Sequence, residues 1–126
     1  NQKQLYEQLY DRCDIGVECL ATFRKNVGGV SSSLKSREYL AVGIPFIYSG
    51  KIDVLEKNTA DFVFEIPSSE EPVDIRSVID EYNKLLQTET KKELSARIRT
   101  YANQYVSWQT TMSEVVKWIQ QDKKGE

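Results

Sequence analysis

Three short apolar segments separated by helical patterns constrain the fold of this chain most strongly. They occupy residues 14–20, 44–48 and 61–66, and each is largely β-branched, aromatic or otherwise apolar. Short runs that are apolar on both faces are typical of parallel strands, because helices cover both faces of a parallel sheet. The pattern therefore predicts an α/β fold: a partial Rossmann-like layer of about three parallel strands, flanked by helices and connected by right-handed crossovers.

Helical patterns fill the segments before, between and after these strands. The first covers residues 2–12, and the second covers Leu34–Val42, where serine precedes the helix and Gly43 and Pro45 follow it. A linker rich in proline, serine and glutamate follows at residues 67–72. Beyond it we expect two or three C-terminal helices, at residues 75–86, about 90–103 and about 108–121.

The last two helical segments allow two interpretations. Their apolar residues follow one another at alternating intervals of four and three: Leu94, Ile98, Tyr101, Tyr105, Trp108, Met112, Val115 and Ile119. As one continuous helix, this is a coiled-coil seam for a partner helix. As two helices, broken near Val106 and Ser107, it is an apolar face that packs on its own domain. Aromatic residues at seam positions favour the second interpretation.

Composition excludes several classes of protein. The 126 residues include no histidine, which removes a histidine general base, a Ser-His or Cys-His nucleophile pair and most zinc sites. The two cysteines, Cys13 and Cys19, form no metal cluster, and we expect both to be buried, in a reducing compartment. The formal net charge of -2 provides no basic field for nucleic acid. No apolar run approaches the roughly 18 residues that cross a membrane.

The loop between the first strand and the second helix carries the richest set of candidate binding residues. In open parallel sheets, ligands bind outside the carboxyl ends of the strands. This loop contains Arg24 and Lys25, two glycines and three serines that lead into the helix at Leu34. Free backbone N–H groups and the helix dipole make such a terminus a site for anions.

Glu38 extends this candidate site along the helix. It lies one turn, about 6 Å, beyond Leu34 on the same face. A phosphate at the helix N-terminus would place an attached ribose near this carboxylate, which could accept hydrogen bonds from the ribose hydroxyls. Two interpretations stay open at this point: a nucleotide site, or serines that only cap the helix beside solvated Lys35 and Arg37.

The segment at residues 32–47, SSLKSREYLAVGIPFI, resembles the donor-binding helix and following strand of retaining GT-B glycosyltransferases of family 4. The preceding strand, beginning Asp14-Ile-Gly-Val, and the Tyr-Val-Ser-Trp sequence that ends at Trp108 are similar to two further elements of that family. The resemblance covers residues from about 5 to 120. It implies that Glu38 binds the donor ribose, and that backbone N–H groups of Ser33 and Leu34, beside Ser32, bind the diphosphate.

The chain departs from the family pattern in two ways. Family members often carry a second glutamate eight residues before the ribose-binding one, near the transferred sugar; here that position is Val30. Glu18 is a candidate replacement, although we favour it as a residue at a strand end. The family also has an N-terminal acceptor-binding domain and cations that grip the diphosphate. Arg24 and Lys25 could replace those cations or could simply be solvated loop residues.

These features lead to one set of expectations. The resemblance implies that residues 1–126 are a single truncated domain, the C-terminal portion of a donor-binding domain, with an α/β portion at 1–66 and a helical portion at 73–121. The parent would move a sugar from a nucleoside diphosphate to an acceptor hydroxyl without a metal or other cofactor, and this chain alone would be inactive. No catalytic residue is assigned to it.

The implied partners are a nucleoside-diphosphate sugar and the N-terminal domain of the parent. Truncation would leave the first strand as an open edge, through which we expect self-association or which helices cover. The expected location is cytoplasmic, at the inner face of the membrane if other parts of the parent anchor it. The alternatives are an interaction module that uses the C-terminal helices and a nucleotide-binding α/β protein of another class.

Overall fold

A three-stranded parallel sheet is the centre of the fold, which confirms the predicted α/β class. The computed structural model describes residues 2–24, 29–56 and 58–122 of the chain. The strands stand in the order β1-β2-β3, with all neighbours parallel. Each strand is shorter than the apolar segment that predicted it: β1 is Gly16–Val17, β2 is Phe46–Tyr48 and β3 is Val63–Glu65.

Five α-helices and three short 3-10 turns surround the sheet within the described residues. The 3-10 turns are Tyr10–Arg12, Thr22–Arg24 and Asp53–Leu55. The helix that follows β1 has the predicted bounds, because its Ser33 N-cap and its left-handed Gly43 are local signals. The α-helices are α1 (Gln2–Gln8), α2 (Leu34–Val42), α3 (Ile75–Leu85), α4 (Lys91–Tyr101) and α5 (Trp108–Asp122).

The strand register brings the three carboxyl ends together at one end of the sheet. Gly16 lies opposite Phe46, and Phe46 lies opposite Val63. β1 pairs only with β2 among the described strands, so it lies at an edge of the sheet, as expected. Part of that edge is occupied, since the Tyr39 hydroxyl donates to the Val17 carbonyl at 3.1 Å.

Helix α2 packs between the sheet and α4. Its Leu40 and the Phe46 side chain of β2 are both fully buried. Tyr39 lies over β1, where a Cβ on Gly16 would meet its ring at 2.9 Å. At the other end of α2, Gly43 has φ 84°, and a Cβ there would lie 2.5 Å from the backbone oxygen of Ser95 in α4. These two close approaches fix the position and direction of α2.

The chain is not one continuous helix at its C-terminal end. A π-helical turn at Ala102–Val106 and an extended Ser107, with ψ 151°, separate α4 from α5. The α4 part of the heptad-like face packs on its own domain, as the second interpretation predicted, with Leu94, Ile98 and Tyr101 buried. Helix α5 has no buried residue, and its Trp108 is 74% exposed. That helix therefore adds an apolar surface rather than a core.

The prediction that both cysteines are buried was wrong in degree. Cys13 and Cys19 are free and half-buried rather than buried. In α3, Val78 and Tyr82 are buried, whereas Ile75 and Ile79 are 51% and 46% exposed. The periodicity shows which side of a helix is apolar, but neighbouring elements decide how much of that side is covered.

We predict that Gly43→Ala lowers the free energy of unfolding by about 2–4 kcal/mol, because it adds a clash with α4 to the cost of a left-handed residue. Gly50→Ala is the matched control. Gly50 also has positive φ, 73°, but its Cβ would meet the Thr22 hydroxyl at 3.2 Å. We expect the control to cost about 1 kcal/mol. Urea unfolding measures both, and equal losses would contradict the close approach of α2 and α4.

Candidate functional site

Hydroxyl groups connect the three loops that leave the carboxyl ends of the strands. The Thr22 hydroxyl, after β1, lies 2.9 Å from that of Ser49, after β2, and 2.8 Å from that of Ser68, after β3. Ser49 also donates to the Leu20 carbonyl at 2.9 Å and is fully buried. The loops therefore form one connected surface at this end of the sheet.

The segment that leads into α2 is attached to the same surface. Ser31 N–H donates to the Lys51 carbonyl at 2.8 Å, and Asp53 N–H donates to the Ser31 carbonyl at 3.0 Å. This short parallel bridge holds the start of α2 beside the loop after β2.

The N-terminus of α2 is capped and exposed. Ser33 is extended, and its Oγ accepts from the Lys35 N–H at 3.1 Å. Ser36 Oγ donates to the Ser33 carbonyl at 3.0 Å. The side chain of Leu34 is 81% exposed. The first N–H groups of a helix have no carbonyl partner within it, and the positive end of the dipole is at the same place. The terminus can therefore receive an anion.

An ion pair fixes this terminus against the neighbouring loop. Arg37 donates to both carboxylate oxygens of Asp53, at 3.2 and 2.5 Å, and to the Ser33 carbonyl at 3.3 Å. Burial of the Asp53 carboxylate acts to raise its pKa, but hydrogen bonds from Arg37 and Ser32 and the Arg37 charge outweigh it, so that the pKa lies below its usual value. Arg37, whose side chain is still 38% exposed, is therefore held by Asp53 rather than freely solvated.

A cavity of about 440 Å³ opens beside the α2 N-terminus, within the size range of small-molecule sites. Of its nine lining residues, four carry a hydroxyl group, two are glycines and one is a lysine. Of the predicted site residues, Ser32 lines it, and Val30 lies in the same wall. The complete lining is Cys19, Thr22, Gly29, Val30, Ser31, Ser32, Gly50, Lys51 and Ser68.

Glu38 lies one turn further along α2, on the side of the helix that faces the 3-10 turn at Tyr10–Arg12. The Tyr10 hydroxyl donates to Glu38 Oε2 at 3.2 Å. Burial, followed by the Glu38 charge and this hydrogen bond, raises the pKa of Tyr10. Glu38 is only half-buried, and a carboxylate oxygen can accept more than one hydrogen bond. The structure thus places Ser32, Ser33 and Leu34 at the helix terminus and Glu38 one turn away, against Tyr10. Of these four residues, Ser32 lines the cavity and the other three do not.

Of the two basic residues predicted for the loop, Arg24 is described and Lys25 lies outside the described residues. Arg24 ends the 3-10 turn after β1 and forms an ion pair with Glu70 at 3.5 Å. Both side chains are about 70% exposed, at 69% and 74%. Exposed pairs of this kind contribute little to stability. The ion pair with Glu70 is therefore a weak constraint on the position of the Arg24 side chain.

Glu18 follows β1 directly, as the interpretation of a strand-end residue requires, but it is buried. It is 3% exposed, and its Oε1 accepts from the Cys19 N–H at 3.0 Å. Its Oε2 is buried without a hydrogen-bond partner. Sequence reasoning named Glu18 but could not show its burial, because a carboxylate next to a strand end is usually exposed.

Two further kinds of site, a cluster of metal ligands and a membrane-spanning helix, are absent from the described part of the chain. No group of three or more metal-ligating side chains lies together in residues 2–24, 29–56 and 58–122. Nor does any helix in these ranges have the length and hydropathy to span a membrane.

Comparison with known proteins finds no match among family models, curated proteins or solved structures. The resemblance to family 4 glycosyltransferases therefore stays a prediction from the sequence.

We predict that Asp53→Asn lowers the free energy of unfolding by about 1–2 kcal/mol at pH 7, because Arg37 loses its ionised partner. Since the folded-state pKa of Asp53 is lowered, its contribution is present above about pH 4, the unfolded value, and is lost as the pH falls through the folded value. The difference in unfolding free energy between Asp53→Asn and the unsubstituted chain should therefore shrink below pH 4, as measured by urea unfolding.

Asp14→Asn serves as the control for this experiment. Asp14 pairs with Lys91 at 2.7 Å, but its side chain is 63% exposed, so we expect a loss below about 1 kcal/mol. A loss for Asp53→Asn that stays constant from pH 7 to pH 2 would contradict the role given to this ion pair.

Proposed function

We propose that this chain is the donor-binding portion of a glycosyltransferase that uses a nucleoside-diphosphate sugar. The observation that carries the proposal is the α2 N-terminus, which opens beside a hydroxyl-lined cavity of about 440 Å³ at the carboxyl ends of three parallel strands. In open parallel sheets this is the expected position for a nucleotide. The resemblance of residues 32–47 to the family 4 donor-binding helix supports the same ligand.

The diphosphate is proposed to bind across the terminus of α2. Backbone N–H groups at Ser33 and Leu34 would donate to it, and the helix dipole would stabilise its charge. Lys51 lines the cavity from the loop after β2, and Arg24 lies in the loop after β1 at the same end of the sheet. Both can therefore add positive charge near the diphosphate. Stabilising the departing diphosphate in this way lowers the barrier to glycosyl transfer and needs no metal.

Glu38 is proposed to bind the ribose. Its distance from the helix terminus, one turn, matches the separation between a phosphate and the attached ribose hydroxyls. The Tyr10 hydroxyl occupies one lone pair of Oε2 and fixes the carboxylate in place. This division of work gives the chain donor binding and leaving-group stabilisation, with acceptor binding assigned to the rest of a longer parent.

Amide chemical shifts can test this proposal on the 126-residue chain. We predict that UDP, GDP or ADP at millimolar concentration shifts the amides of residues 31–38 most. For the nucleotide that binds most tightly, Glu38→Gln should raise the dissociation constant about tenfold, since one charged hydrogen bond is lost. The same substitution should leave pyrophosphate binding unchanged. Glu81→Gln, on the exposed side of α3, is the matched control.

Two results would count against this function. Shifts that concentrate elsewhere, or that are absent for all three nucleotides and for pyrophosphate, would remove the α2 terminus as an anion site in this chain. Equal weakening of nucleotide and pyrophosphate by Glu38→Gln would remove the ribose assignment.

Helix α5 favours a second candidate, an interaction module. It contains no buried residue, and its Trp108, Trp118 and Ile119 are 74%, 65% and 44% exposed. Large exposed apolar side chains grouped on one surface helix are typical of a contact with another folded unit. The break at Ser107 removes the long coiled coil from consideration, but α5 alone retains the seam residues Trp108, Met112, Val115 and Ile119.

If α5 pairs two copies of the chain, Trp108→Asp should weaken self-association in sedimentation equilibrium by about tenfold or more. Aspartate is favourable in a first helical turn, so α5 should persist. Val17→Lys, at the 49% exposed edge position of β1, is the comparison. If Val17→Lys dissociates the chain and Trp108→Asp does not, self-association occurs through the edge strand instead. If the chain without substitutions is monomeric, neither surface mediates self-association.

A further inference from the structure

We propose that a groove between α2 and the π-helical turn at Ala102–Val106 binds the phosphate group of a small phosphate monoester. The groove has a volume of about 290 Å³, and four polar and three apolar residues line it. It shares no lining residue with the cavity beside the α2 N-terminus. The inference therefore concerns a second binding site and does not depend on the proposed function.

Two arginines give the groove its positive charge, one from each helix. Arg37 belongs to α2, and Arg99 lies in the last turn of α4. Asn103 adds a side-chain amide, and the described residues that line the groove include no carboxylate. Planar guanidinium groups bind phosphate oxygens through parallel N–H groups. The polar part of the lining is therefore suited to an anion.

Arg99 carries a charge that no described carboxylate balances. Its Nη1 donates to the Val42 carbonyl at 3.3 Å and to the Ser95 hydroxyl at 2.6 Å, and both acceptors are neutral. Among the ion pairs of the described residues, Arg99 takes part in none. An arginine has donors on each guanidinium nitrogen. The two contacts thus hold the side chain in place and leave Nε and Nη2 for a ligand.

Asp53 positions Arg37 at the groove. Nη1 and Nη2 of Arg37 donate to the two Asp53 carboxylate oxygens, and Nη1 also donates to the Ser33 carbonyl. Nε takes part in none of these bonds. Because the guanidinium is already fixed, little side-chain entropy is lost when a ligand binds. Asp53 balances much of the Arg37 charge, so we expect Arg99 to contribute more to the affinity.

The backbone is irregular where it lines the groove. π-Helical turns are rare and frequently occur at functional sites, and this one supplies Asn103 to the lining. Ser107, the next lining residue, is extended, and its Oγ accepts from the Thr110 N–H at 3.2 Å. Helix α5 therefore begins at the edge of the groove, where its first N–H groups and the positive end of its dipole add to the two arginines.

The lining also indicates what kind of anion fits. Two guanidinium groups and a helix N-terminus match several acceptor oxygens around one centre, as in a phosphate group, better than the two oxygens of a carboxylate. Ala41, Ala102 and Val106 form the apolar part of the lining. They favour an ester with a short carbon chain over inorganic phosphate. The volume lies just below the range of sites for drug-sized ligands, so the ligand is small.

Amide chemical shifts of the complete chain, recorded at constant ionic strength, test this site. The probes are propyl phosphate, inorganic phosphate and butyrate, and the amides of residues 102–109 report binding. Propyl phosphate should bind about threefold more tightly than inorganic phosphate, since it buries additional apolar area. Butyrate should bind about tenfold more weakly than propyl phosphate, because it carries one charge and fewer acceptor oxygens.

Two substitutions should change the affinity for propyl phosphate in opposite directions. Arg99→Gln should raise the dissociation constant about tenfold, because a charged hydrogen bond is lost. Asp53→Asn should lower it about threefold, because a negative charge beside Arg37 is removed. Arg76→Gln and Glu81→Gln, at exposed positions of α3, are the matched controls, and each should change it by less than about twofold.

Three results would overturn the inference: no saturable shift at residues 102–109, an unchanged dissociation constant in Arg99→Gln, or butyrate that binds as tightly as propyl phosphate. An Asp53→Asn variant that binds more weakly would overturn the account of the charges. If Arg99→Gln does not fold, Arg99→Lys carries the test; it keeps the charge but loses the planar fork, so unchanged affinity also overturns the inference. Nucleotide shifts at residues 31–38 report the α2 terminus separately, so failure of the groove leaves the proposed function intact.

Discussion

The packing of α2 against the sheet and α4 is the constraint on which the rest of this structure depends. Leu40 and Ser36 are fully buried along the helix, and Gly43 lets its C-terminal end approach the backbone of α4. The opposite end must then emerge at the carboxyl ends of the strands. Arg37 and Asp53 hold that end against the loop after β2. A helix terminus that is both rigid and exposed is what an anion site requires, because no ordering is needed when the ligand binds.

Two cavities of this fold illustrate why size alone does not identify a site. The larger, of about 600 Å³, lies at the amino ends of β1 and β2, where Asp14 and Pro45 line it. Three of the five charged residues that line it have protein partners in the structure: Lys91 pairs with Asp14, and Arg99 donates to the Val42 carbonyl and the Ser95 hydroxyl. The smaller cavity combines hydroxyl groups and Lys51 with Ser31 and Ser32, which lead into the α2 terminus. For this reason the proposed ligand site is the smaller one.

How much the sequence predicted depends on the range over which each signal acts. The bounds of α2 were predictable because Ser33, Gly43 and Pro45 lie within or next to the helix. The order of strands and helices followed from periodicity, and the fold class is confirmed. Strand lengths were not predictable, since they depend on where a neighbouring strand offers partners.

The candidate site was predictable only in part, for the same reason. The serines at the helix terminus and Glu38 follow a local pattern, but the structure places Glu38 against Tyr10, outside the cavity that Ser32 lines. The Arg37–Asp53 pair joins residues 16 positions apart, and nothing near Arg37 in the sequence indicates its partner. The burial of Glu18 depends on packing around β1, and the exposure of α5 depends on the absence of a covering element among the described residues. Neither the burial of Glu18 nor the exposure of α5 can be predicted from the periodicity of the sequence.

Hydrogen–deuterium exchange on the complete chain, with and without a nucleoside-diphosphate sugar, tests the central claim most directly because it compares both cavities in one experiment. The account predicts protection of the amides at residues 31–36 and 50–53, around the α2 terminus. It predicts no change at the amides of Lys91, Lys92 or Ser95, which line the larger cavity. Protection confined to these three residues, with the α2 terminus unchanged, would contradict it.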